Sequence, residues 1–163
     1  NRGHLASIHH PLPADNQRSN AHMPTDRPLP QPTPETQHFW DGCREHELRL
    51  QRCDECAEVY FPPRPFCPKC ASASISVFVA SGEATLASYV INERPGGAWT
   101  APYAIALVEL AEGPRMMTNI VDCEQTPQAL LLDMPLEVSF AVQNEEITLP
   151  LFRPARASSG ESS

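Results

Sequence analysis

The sequence predicts a mainly β protein: one N-terminal helix, a metal-bound ribbon and a C-terminal barrel of the OB type. Three observations carry this. Two Cys-x-x-Cys pairs lie ten residues apart, in the segment Cys53-x-x-Cys56 to Cys67-x-x-Cys70. From residue 75 onward, short alternating apolar runs are punctuated by Gly, Pro and acidic turn residues, the texture of a small all-β domain. Before the cysteines, Phe39 and Cys43 fall four apart with Trp40 beside them, one apolar stripe on an otherwise polar helix.

Residues 1–34 contain seven of the 18 prolines and no aromatic residue, so they bury too little surface to offset the entropy of ordering. Within them, Ser19-Asn20-Ala21-His22-Met23 reads as the scar of a cleaved tag, which sets residues 1–22, with His9 and His10, apart from function. Residues 24–34 read as a semi-rigid, polyproline-like lead-in. Thr33-Pro34-Glu35 supplies a capping hydroxyl, a proline suited to the first helical position and an acid for the first turn, so a helix is expected over 34–46. Its stripe either staples the helix to its own domain or presents Phe39 and Trp40 to a partner.

The ribbon is expected over residues 48–72. Each Cys-x-x-Cys turn points two sulfurs the same way, and two such turns bring Cys53, Cys56, Cys67 and Cys70 into a tetrahedral set that suits Zn²⁺. Iron in a rubredoxin-type site uses the same four ligands. A metal held by four thiolates has no open position, so its expected work is structural. Binding stabilises a module with little core of its own: Leu48, Leu50, Val59, Tyr60, Phe61 and Phe66. Cys43 and Cys123 read as small apolar packing residues.

The barrel is expected over residues 73–154, with strands at 75–80, 84–92, 103–110, 115–122, 136–142 and 147–152. Ser81-Gly82-Glu83 and Glu112-Gly113-Pro114 read as turns, and Thr126-Pro127 as the start of a short helix carrying Ala129, Leu130, Leu131 and Leu132. Strands, a short helix, then two closing strands is the order of an OB barrel with a helical plug. The longest interruption, 93–102, holds Gly96-Gly97 beside Trp99. It is either a mobile functional loop or a flap by which Trp99 covers the barrel. Residues 155–163 read as a flexible tail.

Several function classes fall away. With 12 Lys+Arg against 20 Asp+Glu, 12 − 20 gives a net charge of −8. From Met23 onward only ten residues are basic, scattered along the chain, whereas neutralising about 6 to 10 phosphates takes most of them on one face. Nucleic acid is therefore not an expected partner, although a nucleic-acid-binding ribbon/OB module is one alternative. The longest apolar run, residues 103–108, is far below the roughly 18 to 20 needed to span a bilayer. No secretion-signal pattern precedes Glu35, so a cytoplasmic setting with reduced thiols is expected. No nucleophile–base pair, separated carboxylates or phosphate-binding loop stands out, so no catalytic residues are assigned.

Taken in order, Phe39-Trp40, Glu47-Leu48-Arg49-Leu50-Gln51-Arg52-Cys53, Phe61-Pro62-Pro63-Arg64, Cys67-Pro68-Lys69-Cys70, Ser81-Gly82, Pro102-Tyr103 and Leu149-Pro150-x-Phe152-Arg153-Pro154 carry a family resemblance. The chain resembles the zinc-ribbon plus OB-fold family of acyl-CoA-associated accessory proteins. The resemblance implies a non-catalytic subunit that binds a thiolase-fold enzyme, an acyltransferase or a retro-aldolase of steroid side-chain degradation, and helps shape its acyl-CoA channel. It also implies a CoA thioester ligand shared with the partner, for which Arg64, Arg94 and Trp99 are the candidates; the helix stripe offers Phe39 and Trp40 as the candidate partner surface. Some family members form the C-terminal half of a hydratase-like protein. The alternative is a stand-alone acyl-CoA binding protein.

Overall fold

The computed structural model describes residues 28–95 and 99–156. The expected tag scar, residues 24–27 of the lead-in, the Gly96-Gly97 pair and the tail from 157 lie outside the described residues.

Helix α1 spans Gln37–Arg44, shorter than the expected 34–46. Residues 34–36 form a turn instead, closed by the Thr36 N–H donating to the Thr33 carbonyl at 3.0 Å, so Thr36 and not Thr33 stands at the N-cap. The far end is a Schellman closure: His46 turns left-handed at φ 61, its N–H donates to the Cys43 carbonyl, and the Glu47 N–H donates to the Gly42 carbonyl at 2.8 Å. Histidine in that conformation is strained. Its ring stacks on Phe140 of the barrel, 5.4 Å between centroids and 4° between planes, which ties the strained residue down.

The ribbon sheet contains β1 (Arg49–Cys53), β2 (Val59–Tyr60) and β3 (Ile75–Val79), in the order β2-β1-β3 and antiparallel throughout. The third strand is a correction to the sequence reading, which placed that run with the barrel. It pairs along its whole length with β1, from Arg49 opposite Val79 to Cys53 opposite Ile75.

A closed barrel follows: β4 (Glu83–Asn92), β5 (Tyr103–Leu110), β6 (Arg115–Ile120), β7 (Pro135–Val142) and β8 (Thr148–Pro154), ordered β4-β5-β6-β8-β7 with β7 returning to β4. The single parallel contact, β6 with β8, closes a five-stranded Greek-key barrel of the OB type. Alternation fills its interior: Ala104, Ala106, Val108 and Leu110 of β5 point inward beside Leu86, Leu136 and Phe152, all buried. Gly82 enters the barrel at φ +79, and a Cβ there would lie 2.6 Å from Val138 Cγ1. Only glycine fits both constraints.

The expected helical plug is a single turn. Thr126 caps it, its hydroxyl accepting from the Ala129 N–H at 3.3 Å. The Asp133 N–H then donates to the Leu86 carbonyl and the Leu86 N–H to the Met134 carbonyl, so the β4 ladder captures the chain before a second helical turn forms. Of the three leucines only Leu130 plugs the barrel, 1% exposed, while Leu131 and Leu132 face solvent.

One apolar core joins the modules. Phe39 and Cys43 of α1 and Leu48 and Leu50 of the ribbon belong to the same cluster as Leu86, Val108 and Phe152. A second cluster lies outside the barrel on Ile147, Leu149 and Leu151, covered by Leu29, Trp40 and Trp99. The described end of the lead-in is therefore packed against the barrel through Leu29.

Candidate metal centre

The two Cys-x-x-Cys turns are structural copies of each other. In the first, the Ala57 N–H donates to the Cys53 carbonyl at 2.9 Å and the Cys53 N–H to the Glu58 carbonyl at 2.9 Å. In the second, the Ala71 N–H donates to the Cys67 carbonyl at 3.0 Å and the Cys67 N–H to the Ser72 carbonyl at 2.9 Å. Ala57 and Ala71 both sit at φ 60, the left-handed turn that swings each chain back. Both turns read Cys-x-x-Cys-Ala, a repeat that was in the sequence and that marks this shared geometry.

The turns interleave their sulfurs. Cys53 Sγ lies 3.5 Å from Cys70 Sγ and Cys56 Sγ 3.6 Å from Cys67 Sγ, and all four fall within 4.8 Å of one another. Four sulfurs at about 2.3 Å around one Zn²⁺ would be about 3.8 Å apart, so the donor set fits a tetrahedral metal held by sulfur alone. Burial opposes ionisation of the Cys67 thiol, yet backbone N–H groups at Cys70 and Lys69 together with the thiols of Cys56 and Cys70 outweigh it and bring it down to about 7. The Lys69 N–H to Cys67 Sγ contact is 3.4 Å. Buried Cys53, Tyr60 and Cys67 form the module's own small cluster. Asp54 braces the first turn by accepting from the hydroxyls of Ser74, at 3.0 Å, and Ser76.

The other two cysteines stand apart from this site. Burial pushes the Cys43 thiol up to about 12, and burial also raises Cys123. Both are poor nucleophiles at neutral pH.

The remaining candidates are spread over the molecule. Phe39 is 3% exposed, packed edge-on to Trp40 at 5.1 Å and tilted against Phe61 at 5.2 Å. That corrects its assignment to a partner surface: the helix needs it to join the modules. Trp40 is half-buried. Trp99, also half-buried, stacks on Tyr103 at 5.7 Å and 19°, so it lies on the barrel, as the flap reading expects. Arg94 is exposed, its N–H donating to Asn92 Oδ1 at 3.0 Å. Arg64 is exposed on the ribbon, its backbone N–H held by Gln51 Oε1 at 2.7 Å. Arg64 lines a cleft between α1 and the ribbon, and Trp99 lines a different one on the barrel wall. Among the described residues no helix is long and apolar enough to cross a membrane.

A helix followed by a four-cysteine ribbon and an OB barrel, with the helix packed on both, defines a zinc-ribbon/OB-fold protein. Residues 40–76 match the model of the rubredoxin-like zinc ribbon domain of ChsH2, and residues 79–141 that of its C-terminal OB-fold domain. The chain belongs to this ChsH2 family of DUF35 proteins. It is 35% identical over 130 residues to a probable enoyl-CoA hydratase alpha subunit of Thermomonospora curvata, covering 79% of this chain. A 3-oxo-4,17-pregnadiene-20-carboxyl-CoA hydratase alpha subunit of Mycobacterium tuberculosis is 35% identical over 112 residues, 68% of this chain. The chain spans only 40% and 35% of those two proteins. A DUF35 domain-containing scaffold protein of Methanothermobacter thermautotrophicus is 32% identical over 106 residues, 63% of this chain and 78% of that protein. Among solved structures, a chain of an Ltp2-ChsH2(DUF35) aldolase superposes with a TM-score of 0.70 at 33% identity, over 78% of this chain and 100% of that one.

Proposed function

We propose that this chain is a non-catalytic accessory subunit that docks on a thiolase-fold enzyme acting on acyl-CoA, with a retro-aldolase as the partner. The observation that supports this most is the match over the full length of a chain from the Ltp2-ChsH2(DUF35) aldolase. The resident metal in this reading is Zn²⁺ on Cys53, Cys56, Cys67 and Cys70; it holds the ribbon's shape and takes no part in the reaction. The barrel wall around Trp99 and Tyr103 then borders the partner's acyl-CoA channel. Arg64 and Arg94 are the cations available to CoA phosphates, and Trp40 contributes partner surface. The name of the mycobacterial relative supports a steroid-derived acyl group. The subunit acts by orienting the thioester and excluding water.

Co-expression with an Ltp2-type aldolase tests this. The two chains are expected to copurify at fixed stoichiometry, and the pair to cleave a steroid-derived acyl-CoA faster than the aldolase alone, read as release of the short acyl-CoA product. Failure to copurify, or an aldolase equally active by itself, would contradict the reading. Trp99→Ala is expected to lower turnover of a bulky acyl-CoA without changing metal content; unchanged kinetics would take the Trp99 wall out of the mechanism.

A further inference from the structure

A strand of a small barrel ordinarily buries one face and turns the other to solvent. Strand β6 does so: Met116 lies in the core, and Met117, the next residue, is 72% exposed. Its neighbour β8 is buried on both faces. Phe152 joins the barrel core, while Leu149 and Leu151, with Ile147 just before the strand, form the separate cluster on the outside. Ile147, Leu149 and Leu151 keep only 2%, 7% and 6% of their surface exposed. The cover over them comes from three places outside the barrel strands: Leu29 of the lead-in, Trp40 of α1, and Trp99 between β4 and β5.

The lead-in is suited to lie there. Pro28, Pro30, Pro32 and Pro34 alternate with Leu29, Gln31 and Thr33, and proline at every second position restricts the backbone to extended, polyproline-like conformations. Three residues per turn set positions 29 and 32 on one side. Leu29, Pro30 and Pro32 are half-buried, whereas Gln31 and Thr33 are exposed. A segment so restricted loses little conformational entropy when it docks. Its far end is pinned, because the Thr33 N–H donates to Thr36 Oγ1 at 2.9 Å in the turn that leads into α1. That anchor, four residues from Leu29, keeps the leucine at high effective concentration over its seat.

Trp99 bridges this seat and the barrel wall. It packs against the outer β8 cluster and stacks on Tyr103, whose Oη accepts from Asn92 Nδ2 at 2.7 Å. Trp99 and Tyr103 in turn line a cleft of about 350 Å³ with Ile105, Met117 and Asn119, among others. We propose that the proline-rich lead-in is a strap that positions Trp99: Leu29 closes the outer β8 seat and so keeps the indole on Tyr103, at the edge of that cleft. Leu29 does not itself line the cleft and acts on it through Trp99, so it is a positioning residue. Its effect on turnover, though not its effect on the indole, rests on the accessory-subunit reading.

The chain has two tryptophans, Trp40 and Trp99, so fluorotryptophan labelling gives two fluorine resonances, assigned by Trp99→Phe. Leu29→Asn is expected to move the Trp99 resonance toward that of a solvent-exposed indole and to enlarge its solvent isotope shift, while barrel amides and metal content stay unchanged. Leu29→Met refills the seat and is expected to restore the unsubstituted position. Pro30→Gly combined with Pro32→Gly keeps Leu29 but loosens the strap, and should move the Trp99 resonance the same way by less. A Trp99 resonance that stays in place in Leu29→Asn, whatever happens at Trp40, would overturn the strap, since the barrel alone would then seat the indole. With an Ltp2-type aldolase, Leu29→Asn is expected to raise KM for a bulky acyl-CoA by about tenfold at unchanged kcat. A moved Trp99 resonance with unchanged KM would support the strap and contradict the Trp99 wall of the accessory-subunit reading.

Discussion

The ribbon and the barrel, against both of which one helix packs, are stabilised by different physics. The barrel buries Leu86, Val108, Leu110, Leu136 and Phe152 inside a sheet whose strand order closes on itself. The ribbon's own cluster is Cys53, Tyr60 and Cys67, and two of those three belong to the cysteine set whose geometry fits a metal. Beyond Leu48 and Leu50, which share the barrel's core, its order is therefore expected to depend on a cation, while the barrel's depends on area removed from water. The difference extends to topology: each barrel strand has a neighbour on both sides over at least part of its length, whereas β3 ends the ribbon sheet.

The largest break in this comparison is metal removal. Structural zinc contributes on the order of 10 kcal/mol or more of apparent binding energy in small Cys/His modules, so chelation is expected to melt β1, β2 and β3 while β4 to β8 stay protected. Amide NMR checks this, and equal loss in both modules would erase the distinction. Cys56→Ser or Cys67→Ser should reproduce the effect. Next is Phe152→Ala, a fully buried aromatic in the core that the modules share, expected to cost about 3 to 5 kcal/mol in denaturant unfolding while metal content is unchanged. Gly82→Ala sharpens the barrel side: a left-handed φ and a Cβ against Val138 predict a loss of about 1 to 3 kcal/mol and a lower melting temperature. The smallest effect is a gain. Ala57→Gly and Ala71→Gly each relieve a left-handed alanine in a metal turn and should each stabilise the ribbon by about 1 kcal/mol, read as slower metal release to a chelator.

Much of this was legible in the sequence because it is written in local spacing. The Cys-x-x-Cys repeat names the ligands without reference to anything distant, and period-two alternation places β5 over Tyr103–Leu110, where the structure has it. What was not legible is which element each strand joins. The run 75–79 reads as a strand either way; only the register against Arg49–Cys53 assigns it to the ribbon. Phe39 was ambiguous for the same reason, since a helical stripe states that a face is apolar and not what covers it. The plug over 126–132 failed because ladder bonds at Leu86 compete with helix propagation, a tertiary effect on a segment too short to resist. Arg64 stood out only as a cation near the cysteines, and its place in a cleft between α1 and the ribbon needed the fold.

The most direct test of the proposed docking, and of the metal-held ribbon's part in it, compares binding of the metal-loaded and the metal-stripped chain to an Ltp2-type aldolase by titration calorimetry, with the barrel's fold checked by amide NMR. Tight binding is expected of the loaded chain, and an association weaker by about 100-fold or more once the metal is gone, although the barrel remains folded. Equal affinity of the two forms would show that the ribbon takes no part in docking and would contradict the assignment of that role to the metal-held module.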